Sequence, residues 1–66
     1  MNQRKRDILH FIETYREKHG VSPTIREIGA GVGLSSSSSV HLHIVGLREM
    51  GYLTYQFGKV RTLRTE

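Results

Sequence analysis

Apolar residues follow two different periods along this chain, and the change of period divides it. From Gln3 to Lys18, Ile8, Phe11, Ile12 and Tyr15 recur at helical spacing, with Leu9 widening the stripe. Asp7, Glu13, Arg16 and Glu17 are expected to face water. Asn2 suits an N-cap, and Gly20 suits a left-handed stop after Lys18 and His19. The pattern predicts a first helix, followed by a short extended linker, Val21-Ser22-Pro23, in which the proline forces Ser22 out of helical geometry.

A second helical pattern opens at Thr24-Ile25-Arg26-Glu27, whose spacing is that of a capping box. Ile25, Ile28 and Val32 make its apolar face. Gly29 and Gly31 cost about 1 kcal/mol each relative to alanine in a helix, so their expected use is steric: a position without a side chain lets another helix approach. Gly33 supplies a turn, and Leu34 plugs the core beneath it. The run Ser35 to Ser39 has the composition of a linker, but Val40, Ile44 and Leu47 follow at once at helical spacing. One of Ser35 to Ser37 is therefore expected to cap a third helix that runs to about Met50 and ends on Gly51. Two helices joined this tightly must cross steeply, which leaves the start of the second one projecting. That is a helix-turn-helix, the unit that offers a helix N-terminus to a DNA major groove.

Beyond Gly51 the pattern changes to that of strands. Tyr52 to Phe57 and Val60 to Thr65 are rich in β-formers, with Gly58-Lys59 between them. A two-residue loop would put Leu53 and Leu63 on opposite faces, whereas a three-residue loop of Gly58, Lys59 and Val60 puts them together. The longer loop is expected, with the hairpin packed on the helices, because an isolated hairpin is marginal. The predicted fold is mainly α with a small β-hairpin: a three-helix winged helix-turn-helix forming one domain, residues 1–66.

Composition sharpens this picture. The 66 residues carry a net charge of +4, which on so small a surface favours a polyanionic partner. There are no cysteines, so neither disulfides nor thiolate metal sites arise, in keeping with a reducing cytoplasm. Asp7, His10 and Glu13 interrupt any signal-peptide core after the basic N-terminus, and no apolar run approaches the ~18 residues that span a bilayer. The serines lack a base and an orienting acid, so catalysis is not expected. His41 and His43 point in different directions on a helix and have no carboxylate beside them, so no metal or other cofactor is expected either.

On the third helix, Val40, His43, Ile44 and Leu47 share the inward stripe, with His43 read as a partly buried core residue. Ser38, His41, Leu42 and Val45 share the outward one. A face that merely met water would be charged. This one offers hydroxyls and an imidazole to base edges, and Leu42 to a thymine methyl. Candidate backbone contacts are Arg4, Lys5 and Arg6, whose charge opposes the dipole of the first helix, together with Arg26, Lys59, Arg61 and Arg64.

The stretches ILHFIETYREKHG, SPTIREIG, VGLSSSSSVHLH and LREMGYL resemble the N-terminal DNA-binding domain of LexA repressors, in the form found in Gram-positive bacteria, over nearly the whole chain. The resemblance implies a dimeric repressor on a palindromic double-stranded operator of DNA-damage-response (SOS) genes, at the bacterial nucleoid. It implies Ser36, Ser38, Ser39, His41 and Leu42 as DNA-facing positions, with Ser36 on the backbone as much as on a base. Leu42 departs from the small residue usual in the family, and Gly29-Ala30-Gly31 from a charged residue followed by alanine. The family's self-cleaving peptidase domain, which supplies the main dimer contact, is not in this sequence, so this chain alone is expected neither to cleave itself nor to self-associate strongly. Two other readings stay open from the residues: a protein-contact module using Leu42, Val45 and Tyr55, and a nonspecific architectural DNA binder.

Overall fold

A computed structural model describes residues 2–54 and 63–65. The element order is α1 (Gln3–His19), α2 (Ile25–Val32), α3 (Ser37–Glu49), β1 (Leu53–Thr54) and β2 (Arg64–Thr65). Local chemistry sets the helix ends. Asn2 caps α1 by accepting from the Lys5 N–H at 2.9 Å, and Gly20 closes it with φ 75°. Thr24 and Glu27 form the reciprocal box at the start of α2: Glu27 Oε1 accepts from the Thr24 N–H at 2.8 Å, and Thr24 Oγ1 accepts from the Glu27 N–H at 3.2 Å. Ser36 caps α3. The helix ends at Glu49 with Met50 as its C-cap, as the expected stop near Met50 has it, and two bonds fold the chain back: Gly51 N–H to Arg48 O at 3.0 Å and Tyr52 N–H to Leu47 O at 2.9 Å. The second bond occupies the Tyr52 N–H, so β1 starts at Leu53 and not at Tyr52 as expected.

One core unites the elements. Ile8 and Ile12 of α1, Ile28 of α2, Val40, Ile44 and Leu47 of α3, and Leu53 and Leu63 of the hairpin are buried together. Leu9, Phe11, Ile25, Val32 and Leu34 close its edges. Complete burial of one such aliphatic side chain contributes about 1.5–3 kcal/mol, so this small set provides most of the drive to fold. The hairpin joins the core through both strands, β1 against α3 and β2 against α1. Leu53 pairs antiparallel with Thr65, and Thr54 with Arg64. In this register Leu53 and Leu63 share a face, as the longer loop requires, and both are buried. The rest of the expected hairpin, Tyr55 to Thr62, lies outside the described residues.

The helix-turn-helix closes because α2 has gaps where side chains would stand. A Cβ at Gly29 would lie 3.0 Å from Leu34 O and 3.3 Å from Val40 Cγ2, so the bare backbone lets both the turn and α3 come close. Leu34 N–H returns to Gly29 O at 2.9 Å across Gly33, whose φ of 79° bends the chain into α3. Two packing details go beyond the sequence expectation. Within the α1–α2 connection, Ser22 and Pro23 are buried, a burial that their linker pattern does not show. Arg16 is half-buried rather than fully in water. Among the described residues, no helix is long and apolar enough to cross a membrane.

Candidate nucleic-acid interface

With Val40, Ile44 and Leu47 locked into the core, the helical period dictates which residues of α3 point away. Leu42, almost opposite that stripe, is 71% exposed. Ser38 and His41 are exposed beside it, and Val45 is half-buried at the edge. Ser35, Ser36 and Ser37 are exposed at the entry to the helix, while Ser39 is half-buried on one flank. Ser36 Oγ accepts from the Ser39 N–H at 3.5 Å, so this serine caps the helix and remains exposed. The five residues expected to face DNA, Ser36, Ser38, Ser39, His41 and Leu42, thus occupy one end of one helix. No Asp or Glu occurs from Ile28 to Leu47, so neither the turn nor the outward face of α3 carries a charge that would repel phosphate.

The expected backbone contacts divide. Arg6 and Arg26 are exposed, Arg26 in the first turn of α2. Lys59 and Arg61 lie outside the described residues, and of Arg64 only the backbone is described. Arg4 and Lys5 are half-buried and reach across the fold. The Arg4 guanidinium donates to Val32 O, one of the carbonyls left unpaired at the C-terminus of α2. There a cation sits with the helix dipole instead of against it. Lys5 Nζ lies 3.1 Å from His43 Nδ1. Neither contact is visible in the local sequence pattern. A glycine at position 46 in the middle of α3 was a signal for the second, since Lys5 lies over it.

His43 sits where the inward stripe meets this flank. Burial lowers its pKa below 6.5, and the nearby charges of Lys5 and then Arg4 lower it further. An ammonium only donates, so Nδ1 must be the acceptor and the ring is neutral with its proton on Nε2. Among the described residues, no group of three His, Asp or Glu side chains is placed to hold a metal ion.

Three helices, a glycine-bent turn, a bare serine-rich helix end and a two-stranded hairpin on the core define a winged helix-turn-helix module. Residues 1–62 match the family model described as the LexA DNA binding domain. The LexA repressor of Bacillus mycoides is 43% identical over 63 residues, covering 96% of this chain and 31% of the relative. The LexA repressor of Carboxydothermus hydrogenoformans is 44% identical with the same coverage, and that of Bacillus thuringiensis strain Al Hakam 43%. The chain belongs to the LexA DNA-binding domain family. It spans about a third of the length of these relatives.

Proposed function

We propose that this chain binds double-stranded DNA in a sequence-specific way and serves as the operator-reading module of a transcriptional repressor. The outward face of α3 carries the reading: Ser38, His41 and Leu42 stand exposed, opposite side chains that fix the helix in place. Set in a major groove, the serine hydroxyls donate to or accept from base edges, His41 donates to a base acceptor, and Leu42 meets a thymine methyl. Ser36 and Ser39 lie at the groove entry. Arg6, Arg26, Lys59 and Arg61 neutralise flanking phosphates and fix the register. The operator is a palindrome, read by two copies whose half-sites are spaced by whole helical turns. Repression follows from occluding polymerase.

The test is binding to a duplex recovered by selection from a randomised pool, compared at fixed salt with a scrambled duplex of the same composition. Preference for the selected duplex is expected, and equal affinity would remove the sequence-specific claim. Ser38→Asp combined with His41→Glu sets carboxylates beside phosphates and should abolish binding. A steep fall in affinity with salt marks phosphate contact and separates this reading from an apolar protein contact through Leu42 and Val45.

A further inference from the structure

Between Ser37 and Leu47, α3 has no lysine or arginine of its own. Its flank nonetheless holds an ammonium group, brought from another helix. Lys5 leaves the first turn of α1, crosses to α3 and lies over Gly46. A Cβ at position 46 would lie 3.1 Å from Lys5 Cε and 3.8 Å from Lys5 Nζ, and among the described residues, its own chain neighbours and helix backbone aside, nothing else comes within 4 Å. The missing side chain of Gly46 is therefore the slot that the lysine methylenes fill. At the end of that slot His43 Nδ1 accepts from Nζ at 3.1 Å. One donor of the ammonium is used there. Among the described residues Nζ has no other hydrogen-bond partner, which leaves two of its N–H groups unused there.

Helical spacing locates the ammonium. Ser39, His43 and Gly46 follow one another at intervals of four and three, so they form one flank of α3. Leu42 lies between that flank and Ser38. The ammonium thus stands at the border between the core-facing and outward surfaces, alongside the side chains proposed to read bases. We infer that Lys5 is a phosphate-binding cation lent to α3, with Gly46 as its slot and His43 as the positioning residue that aims it, an inference resting on the duplex-binding reading above. The arrangement differs from a lysine on α3 itself. A tethered, half-buried ammonium loses less side-chain freedom on meeting a phosphate than a free one does. It also leaves the groove-facing surface of α3 small.

The experiment measures affinity for the selected duplex as a function of salt. Releasing one counterion changes the slope of log K against log salt by about 0.9, worth about fivefold in affinity at 0.15 M salt. Lys5→Met keeps the methylenes and removes the charge; it should flatten the slope by that amount. Gly46→Leu fills the slot from the other side and evicts the lysine, so it should flatten the slope equally, and the double variant should go no further. His43→Gln, which can still accept, should hold the wild-type slope better than His43→Leu. Thermal melting of each variant confirms that it is folded at the assay temperature. A Lys5→Met slope equal to that of the wild type would overturn the inference while leaving the duplex-binding reading intact. A wild-type protein without salt dependence or duplex preference would overturn both.

Discussion

The ring of Phe11 occupies the space that a side chain at Gly31 would need: a Cβ there would fall 2.1 Å from Phe11 Cε2 and 2.6 Å from Cδ2 and Cζ. This contact holds α1 against the last turn of α2, and it explains a glycine that helix propensity disfavours. It also makes an apparently favourable substitution harmful. Gly31→Ala should gain about 1 kcal/mol in helix propensity. It must also displace a ring that packs on the core and lies 5.9 Å, centroid to centroid, from Tyr15. Overpacking of this kind costs about 1–3 kcal/mol, so a net loss of about 1 kcal/mol is expected in urea unfolding. Phe11→Leu should relieve it, making the pair non-additive. Simple addition of the two single effects would show that the ring moves aside freely.

Arg4 and Lys5 are neighbours, yet they should fail in different ways. Arg4 donates to a helix-terminal carbonyl, and charged hydrogen bonds of this type contribute about 1.5–3 kcal/mol when well formed. Partial exposure reduces that figure, so Arg4→Met should cost about 1 kcal/mol of stability. Its salt slope on the selected duplex should match the wild type. A flattened slope for Arg4→Met would show that its guanidinium also meets a phosphate.

His43 makes stability depend on pH in a defined direction. Its folded pKa lies below 6.5, chiefly through burial and then through Lys5 and Arg4. As pH falls through 6.5, the unfolded chain takes up the proton before the folded one does. The contribution is therefore complete above that value and is lost as pH drops toward the lower folded pKa. Urea midpoints measured from pH 8 to pH 5 should decline more steeply for the wild type than for His43→Gln. Parallel profiles would contradict the burial described for this ring.

Leu42 is the largest apolar group on the outward face of α3, and it should read a methyl group. Each thymine of the selected duplex can be replaced in turn by uracil, which lacks only the C5 methyl. At one position per half-site the wild type should lose about fivefold in affinity, the equivalent of burying one methyl-sized group at about 0.8 kcal/mol or slightly more. Leu42→Ala should be insensitive to the same exchange. Equal losses in both proteins would remove Leu42 from base recognition.

Much of this molecule was legible along the chain because it is decided by neighbours. Asn2, Thr24 with Glu27, and the serine cap of α3 act within one turn of themselves. The apolar periods that built the core need only the pitch of a helix, whereas strand alternation left two registers for Leu53 and Leu63, and packing on the core decides between them. The outward set of Ser38, His41 and Leu42 follows from the same arithmetic, since the inward stripe determines its opposite. What the tertiary structure alone decided is where the long polar side chains go. Arg4 reaches a carbonyl 28 residues away and Lys5 an imidazole 38 residues away. No local pattern encodes such partners, because a flexible cationic side chain settles on whichever acceptor the packed helices bring within its reach. The burial of Ser22 and Pro23 belongs to the same class: their backbone conformation is local, but whether a helix covers them depends on how α1 and α2 dock.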